Sequence, residues 1–223
     1  MSNTRLLVGM PAGGEIPVLT ARSLMEWQMK RKTPGMFMFK LDTYIEKARN
    51  ELVWNAANEN ATHLMMIDSD MVFPPDGIDR LLKHDVDIVG GLYYGRMHPK
   101  AMAFYKNPDG TVTNFDPKQP PGLYEVDFVA TGFMLINMRV FTKLEPPFFT
   151  FTYNPEFFGL RNQGMLTPTG EDSYFCLTAK EAGYKVFVDN TIQLGHVGQR
   201  MYTRRDWEAY QTDKEFYENT RIG

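Results

Sequence analysis

Four short apolar segments alternate with helix-like stretches over the first 90 residues, and this alternation restricts the possible fold more than any other feature of the sequence. The apolar segments are residues 5–10, 36–39, 63–67 and 86–90. After the second of them, Ile45, Ala48, Leu52 and Ala56 recur at the spacing of one helix face. Strands that alternate with helices predict an α/β fold, with a mostly parallel central sheet flanked by helices.

The remaining elements follow from periodicity and from turn residues. Further helices are predicted over residues 17–32, 76–83, 171–183 and 203–217, and a possible capping box, Thr43-x-x-Glu46, begins the helix that contains Ile45. Residues 101–136 hold short β-like runs, a strand is predicted over 185–188, and residues 153–170 have the weak patterning of an active-site lid. The sequence therefore predicts a smaller mixed β region after the parallel sheet.

The composition excludes several classes of protein. The chain has 223 residues, is 43% hydrophobic, carries a net charge of −3 and contains one cysteine, Cys176. One cysteine excludes an intramolecular disulfide framework and any multi-cysteine metal site. No apolar run approaches the ~18 residues that span a bilayer, and the first residues lack a signal-peptide core. We therefore expect no membrane span and a cytoplasmic location, and the small size suits a bacterial or phage-encoded protein.

Two carboxylates follow the third apolar segment, in Ile67-Asp68-Ser69-Asp70-Met71. In an extended chain, side chains at i and i+2 point to the same face, and ligands of parallel sheets gather at the carboxyl ends of the strands. Paired carboxylates repel unless a cation lies near them, and oxygen ligands suit Mg²⁺ or Mn²⁺. The alternative is a solvated turn in which Asp70 caps the next short helix.

A second acidic pair, Glu171 and Asp172, stands at a predicted helix start, and His196 lies between two glycines after a predicted strand. Helix-end amides are expected to keep the pKa of a carboxylate at this position low, so that it can accept a proton as a general base. The alternative is a structural cap, because Thr169-x-x-Asp172 also fits a capping box. His196 is either a metal or phosphate ligand or a turn residue without a function, and we interpret His63, His84 and His98 as structural.

Several other motifs are missing. The sequence has no GxxxxGK[ST], GxGxxG, HExxH or GxSxG pattern, so phosphate-loop, zinc-peptidase and serine-hydrolase functions have no support. A basic group, Arg200, Arg204 and Arg205 beside Tyr202 and Trp207, is interspersed with acidic residues. We interpret it as the solvated face of a helix rather than as a nucleic-acid site.

Taken in order, these motifs resemble the nucleotide-sugar glycosyltransferases of the GT-A fold, in particular the inverting, family-2-like members. Ala48-Arg49-Asn50 is similar to their "ARN" element, Asp68-Ser69-Asp70 to their DxD motif, and Glu171-Asp172 to their "ED" motif. Residues 129–136 resemble the glycine-containing strand beside the acceptor site, and His196 falls where a metal-binding histidine often lies. The resemblance covers residues 4–200.

The resemblance implies roles for individual residues. Asp70 and His196 would bind Mn²⁺ or Mg²⁺, Asp68 would contact the metal or the donor ribose, and Asp172, beside Glu171, would deprotonate the acceptor hydroxyl. The wider donor-binding set that the resemblance implies consists of Pro11, Ala12, Asp42, Arg49, Asp68, Ser69, Asp70, Arg96, Thr131 and Gly132. The segment 153–169 would close over the bound donor and exclude water.

The resemblance also implies the domain organisation and the reaction. Residues 1–200 would form one catalytic domain, with a nucleotide-binding half (1–100) and an acceptor half (101–200), and residues 201–223 would form a helical arm. The expected reaction moves a sugar from a nucleoside-diphosphate sugar to the hydroxyl of a glycan, a lipid-linked sugar, a protein or a modified nucleic-acid base. The alternatives are a nucleotidyltransferase that acts on a sugar phosphate and a non-catalytic binding protein of the same fold. The oligomeric state stays open.

Overall fold

The computed structural model describes residues 4–42, 44–96, 99–108, 111–152, 161–162, 165–166, 169–198 and 201–212. The α-helices in this part of the chain are α1 (Val18–Lys30), α2 (Ile45–Asn58), α3 (Gly77–Lys83), α4 (Glu171–Glu181) and α5 (Arg204–Thr212). A 3-10 helix spans Met138–Thr142. None of these helices combines the length and the apolar character that crossing a bilayer requires.

The strands of the same residues, in chain order, are β1 (Leu6–Ala12), β2 (Gly35–Leu41), β3 (His63–Ile67), β4 (Met71–Val72), β5 (Ile88–Gly91), β6 (Ala103–Lys106), β7 (Val112–Asn114), β8 (Leu123–Val126), β9 (Phe128–Val129), β10 (Phe133–Asn137), β11 (Arg161–Asn162), β12 (Met165–Leu166), β13 (Val186–Asp189), β14 (Gly195–Val197) and β15 (Met201–Tyr202).

Seven of these strands form the central sheet, in the order β2-β1-β3-β10-β5-β13-β8. Strands β2, β1, β3, β5 and β13 run in one direction, whereas β10 and β8 run antiparallel to their neighbours. Smaller sheets join β15-β14-β4 and β7-β6-β9. This arrangement confirms the predicted α/β class, with a mostly parallel sheet and a smaller mixed β region. Strands from residues 1–100 and from 101–200 share the one central sheet.

The hydrophobic core lies on both faces of the sheet, because side chains alternate along each strand. On β3, Leu64 and Met66 pack into the cluster that holds Leu52 of α2, and Met65 and Ile67 pack into the opposite cluster. The first cluster also holds buried side chains of α4, and the second holds those of α1 and α3. Helices thus cover both faces, as the sequence predicted.

Three expectations about the strands are wrong in detail. The first strand does not stop before Pro11 but continues to Ala12, because a strand's proline is tolerated where it need not donate a hydrogen bond. The second strand is not buried: β2 is an edge strand, and Met36 and Phe39 are exposed. The parallel run is interrupted, because β10 lies between β3 and β5 and pairs antiparallel with both.

One expectation about a helix needs correction, and two further expectations are not tested. Helix α2 begins at Ile45 with Tyr44 at the N-cap and no side-chain cap, and Thr43 of the predicted capping box lies outside the described residues. The last helix is described to Thr212, so its predicted continuation to 217 lies outside the described residues, as does most of the predicted lid, 153–170.

Candidate functional site

Arg49 is the central cation of a group of side chains at the carboxyl ends of the parallel strands. It lies on α2 and is 3% exposed. Its Nη2 donates to Asp68 Oδ1 at 2.8 Å, and its Nη1 donates to Oε1 of Glu171, the first residue of α4. These two ion pairs hold the end of β3 and the start of α4 together.

Asn50, the next residue of the "ARN" element, fastens a different segment. Its side-chain Nδ2 donates to the carbonyl of Phe149, and its Oδ1 accepts from the backbone amides of Phe148 and Phe149. Phe149 in turn stacks on Phe175 of α4, with ring centroids 4.7 Å apart. The "ARN" element therefore positions α4 both by charge and by packing.

Asp68 and Asp70 do not share one extended strand. Strand β3 ends at Ile67, and the Met71 amide donates to the Asp68 carbonyl at 3.1 Å, which closes a turn across the motif. The Asp70 carboxylate contacts Arg96 Nη1 at 2.8 Å and His196 Nε2 at 3.3 Å, whereas Asp68 contacts Arg49. The expected side-by-side projection from an extended chain is wrong, and so is the alternative that Asp70 caps α3, since the N-cap of α3 is Asp76.

The environment of Asp70 favours its charged form. Burial raises the pKa of this carboxyl, but the hydrogen bond and charge of His196, together with the charge of Arg96, outweigh burial and lower the pKa below its usual value. Asp70 is therefore an anion at neutral pH.

His196 lies on β14, and its orientation is fixed by a backbone carbonyl. Nδ1 is 3.0 Å from the carbonyl oxygen of Tyr94, which can only accept, so Nδ1 carries a proton. In the neutral ring, Nε2 then presents a lone pair toward Asp70 Oδ1. Two lone-pair atoms at 3.3 Å repel unless a proton or a cation is shared between them.

Tyr93 completes this part of the site and was not predicted from the sequence. Its ring packs edge-on against His196, with centroids 5.3 Å apart, and its hydroxyl accepts from the Gly132 amide at 3.2 Å. The Gly132 carbonyl in turn accepts from the Asp68 amide at 3.0 Å. A Cβ on Gly132 would lie 2.5 Å from the Tyr93 hydroxyl, so glycine permits this close approach. The one sequence feature that could have indicated a role for Tyr93 is its position just after β5, at the carboxyl end of a parallel strand.

Asp172 is half-buried in the first turn of α4. Its Oδ1 accepts from the Ser173 amide at 2.7 Å, and the N-cap of α4 is Gly170 without a side-chain cap, so the predicted Thr169-x-x-Asp172 capping box is absent. A Cβ on Gly170 would lie 2.9 Å from Asp172 Oδ1, so this glycine leaves room for the carboxylate.

The expectation of a low pKa for Asp172 is wrong. Burial raises the pKa of Asp172. The charge of Arg49 and the hydrogen bond from the Ser173 amide lower this pKa, but by less than burial raises it. Burial also raises the pKa of Glu171, against the lowering effect of Arg49. Desolvation exceeds the helix-end effect here, and it gives Asp172 a stronger affinity for a proton than an exposed carboxylate has.

The remaining predicted donor residues lie at neighbouring strand ends. Pro11 and Ala12 end β1, and the Asp42 amide donates to the Ala12 carbonyl at 3.4 Å. The Asp42 carboxylate is engaged by Lys47 Nζ at 2.8 Å and by the Tyr44 amide. Ser69 lies in the turn between the two aspartates.

Thr131 lies next to Gly132 and is 1% exposed. Its hydroxyl finds no hydrogen-bond partner in the described part of the chain. Arg49 Nε is likewise a buried donor without a partner among these residues. Unpaired buried polar atoms are unfavourable, and two of them occur in residues of the predicted donor site.

Among the described residues no group of three or more His, Cys, Asp or Glu side chains is gathered as a ready cation site. The residues predicted for the metal nevertheless fit a Mn²⁺ or Mg²⁺ ion in their chemistry. Asp70 is ionised, and the Tyr94 carbonyl orients Nε2 of His196 toward it, so that the ring in its neutral form would offer this nitrogen to a cation. A backbone carbonyl on the other ring nitrogen is the usual support for a metal-binding histidine. Asp68 keeps one carboxylate oxygen that does not contact Arg49.

The basic group that was interpreted as a solvated helix face agrees with that prediction only in part, because Tyr202 belongs to β15. Arg204 and Arg205 are exposed on α5, and Arg204 pairs with Glu208, whereas Trp207 is buried and packs near Tyr94. Arg200 lies outside the described residues. His84, interpreted as structural, pairs with Asp189 at 2.9 Å.

No family model and no curated protein matches this sequence. The fold is similar to the crystal structure of A197 from STIV, with a TM-score of 0.62, 17% identity, and coverage of 91% of this chain and 92% of A197. The crystal structure of a UDP-glucose pyrophosphorylase complexed with UDP-glucose aligns with a TM-score of 0.45 and 8% identity. The alignment covers 97% of this chain and 99% of the pyrophosphorylase. The similarity to A197 shows that the two chains share a fold.

Proposed function

We propose that this protein is a metal-dependent glycosyltransferase that moves a sugar from a nucleoside-diphosphate sugar to an acceptor hydroxyl with inversion. The main support for the proposal comes from the two ion pairs that Arg49 forms, one with Asp68 and one with Glu171. Through them, the Asp68-Ser69-Asp70 turn and the Glu171-Asp172 pair, 101 residues or more apart in sequence, meet at the edge of the sheet where ligands of α/β proteins bind.

Asp70 and His196 are the proposed ligands of Mn²⁺ or Mg²⁺, with Asp68 as a third ligand or as a contact to the donor ribose. The bound ion would neutralise negative charge on the departing nucleoside diphosphate. Arg96, already at 2.8 Å from Asp70, is a proposed contact to the donor phosphates. Pro11, Ala12 and Asp42 would border the nucleoside at the ends of β1 and β2.

Asp172 is the proposed general base. It would take the proton of the acceptor hydroxyl while the acceptor oxygen bonds to the anomeric carbon and the bond from that carbon to the diphosphate breaks. Attack and departure then occur on opposite faces, which inverts the anomeric centre. A positioned base of this kind contributes about 10²- to 10⁴-fold to the rate.

Calorimetric titration with UDP-, GDP-, CDP- and dTDP-sugars, each with Mn²⁺ and with a chelator, tests the proposal. We expect heat from one nucleotide class, and only when the metal is present. The Asp70→Asn variant should weaken this binding, whereas Asp172→Asn should keep it and abolish transfer to added acceptors. Asp116→Asn, which changes an exposed carboxylate, is the matched control.

A pyrophosphate-release assay, and the same titration repeated with Mg²⁺, separate the alternatives. Release of pyrophosphate from a nucleoside triphosphate and a sugar phosphate would indicate a nucleotidyltransferase instead. Silence across the whole panel, in the presence of either metal, would favour a non-catalytic binding protein.

A further inference from the structure

Exposed apolar side chains are concentrated on one part of the surface. Of the eleven large hydrophobic side chains that are exposed within the described residues, nine belong to residues 18–54, which form α1, β2 and α2. Single exposed hydrophobic residues are ordinary, but a contiguous group marks an interaction site. None of these nine takes part in the site described above.

A groove separates α1 from β2 on this surface. Helix α1 packs toward β4, and its Ser23 Oγ accepts from the amide of Phe73, the residue after β4, at 3.1 Å. No helix of the described residues covers this face of the edge strand. The resulting groove, which we call the α1–β2 groove, has a volume of about 490 Å³, and its walls include Met25, Met29, Phe37 and Phe39. Its lining is suited to an apolar helix face.

The chain itself carries such a helix face. Val18, Met25 and Met29 recur on α1 at i, i+7 and i+11, and they are 83%, 66% and 80% exposed. Residues at this spacing form one stripe along a helix and are the usual anchors of a helix that lies in an apolar groove. Met25 and Met29 belong to both the groove and the stripe, so one two-fold axis can bury both surfaces at once.

We propose that the α1–β2 groove is a self-association site, in which α1 of a second copy of this chain lies antiparallel to α1 and inserts its Val18-Met25-Met29 stripe. This inference is independent of the proposed function. A two-fold axis near the middle of α1 places Val18 of one copy beside Met29 of the other.

The charges along α1 agree with the antiparallel arrangement. Arg22 lies in the stripe and pairs with Glu26 at 2.7 Å, so antiparallel copies bring each Arg22 close to the other copy's Glu26. Glu15 precedes the helix, and Lys30 ends it. Antiparallel packing puts these opposite charges together and opposes the two helix dipoles, whereas parallel packing would put like charges together.

The exposed apolar side chains continue from the helix onto the strand. On α1 and β2, seven large hydrophobic side chains are exposed by 41% to 83%. Of these, Met25, Met29 and Phe39 line the groove, and Leu41 shares the strand face of Phe37 and Phe39, whereas Met36 faces the other side of the sheet. A contiguous apolar group of this kind marks an interaction site.

Cysteine cross-linking tests both the dimer and its direction. Met25→Cys lies near the proposed axis and should form a disulfide with itself under mild oxidation, whereas Met29→Cys alone should not. A mixture of Val18→Cys and Met29→Cys chains should cross-link to each other. The native Cys176 does not interfere, because it is fully buried and burial raises the pKa of its thiol to about 12. Self-cross-linking of Val18→Cys would contradict the antiparallel arrangement.

Sedimentation equilibrium tests the contact without cross-links. The wild type should be a dimer at micromolar concentrations, and Met25→Lys should raise the dissociation constant at least about tenfold, because it puts a charge into the groove. Trp54→Lys is the matched control and should leave the dimer intact, because it changes an exposed apolar side chain on α2 that does not line the groove (Trp54 is 54% exposed and Met25 66%). Circular dichroism confirms that both variants fold. A wild type that is monomeric at 100 µM, or one that is monomeric in solution but binds anionic lipid vesicles, would overturn the proposal.

Discussion

Arg49 and Glu171 form a buried ion pair although 122 positions separate them in the sequence. Arg49 also pairs with Asp68, so a single guanidinium balances two carboxylates and lies within the electrostatic reach of a third, Asp172. Removal of this cation would leave several buried negative charges without a partner.

Arg49→Met is therefore expected to lower the free energy of unfolding by about 3–5 kcal/mol at pH 7. Burial already raises the folded-state pKa values of Glu171 and Asp172, and in the variant these values rise further above their unfolded values, so stability should fall as pH rises and recover toward pH 4. Urea unfolding at several pH values measures this. Lys47→Met, which removes an exposed cation from the same helix, should stay close to the wild type at every pH. An equal loss for Arg49→Met at pH 4 and pH 7 would contradict the electrostatic explanation.

Asp172→Asn is expected to leave the protein at least as stable as the wild type at neutral pH. Burial raises the folded-state pKa of Asp172 above its unfolded value, so the folded state binds this proton more tightly and the ionised form costs stability at higher pH. Asparagine removes that cost and can still accept from the Ser173 amide through Oδ1. Thermal unfolding should therefore show an advantage for the variant at pH 7 that shrinks as pH falls toward 4. A variant that is clearly less stable at pH 7 would argue against the raised pKa.

Asp189→Asn should have the opposite pH dependence. Asp189 is 2% exposed, and its carboxylate accepts from the Thr191 amide and hydroxyl and contacts His84 Nε2 at 2.9 Å. Burial alone would raise the pKa of Asp189, but these hydrogen bonds lower it below the unfolded value. Its stabilisation is present above the unfolded pKa and is lost as pH falls through the folded pKa.

The loss for Asp189→Asn should be about 1–3 kcal/mol at pH 7. It should begin to shrink below about pH 4, the unfolded pKa of an aspartate, and disappear as pH falls further through the lower folded-state pKa. Chemical unfolding of the two proteins side by side measures this, with Asp116→Asn as the exposed control. If the difference grows in acid, the assigned direction of the shift is wrong.

Gly132→Ala should disturb the site from within. The added Cβ would lie 2.5 Å from the Tyr93 hydroxyl, so the Tyr93 ring, which packs edge-on against His196, must shift away from Gly132. Overpacking of this kind costs about 1–3 kcal/mol. Gly13→Ala is the matched control: no atom lies within 4 Å of its added Cβ, and unfolding should be nearly unchanged. Equal unfolding midpoints for Gly132→Ala and Gly13→Ala would mean that the Tyr93 ring moves aside without a measurable loss of stability.

Periodicity was a good guide to the local elements of this chain. The third strand, 63–67, has the predicted bounds, and α3 and α4 begin within one residue of prediction. These elements are short-range consequences of residue spacing, which a single sequence displays directly. The edge position of β2 was not predicted, because an apolar run looks the same whether one neighbour or two lie beside it.

For the candidate site, the sequence indicated the residues but not their contacts. Asp68, Asp70, Asp172 and His196 were selected by their position after strands or at a helix start, and the structure brings Asp70 to His196 and Asp68 to Arg49. The direction of the pKa shift of Asp172 was predicted wrongly. The sequence indicates that Asp172 lies at a helix start, but it does not indicate how far the carboxylate is removed from water. Tyr93 was missed because its partners, Gly132 and His196, lie far along the chain.

The sequence by itself determined the α/β alternation, the strand ends at which polar residues accumulate and the acidic pairs found there, since each depends on spacing over a few residues. Only the tertiary structure decided that β10 separates β3 from β5, that Arg49 bridges two carboxylates, and that no described helix covers one face of β2. These outcomes depend on which distant segments pack together. Packing is set by the sum of many weak contacts over the whole chain, and no local pattern encodes that sum.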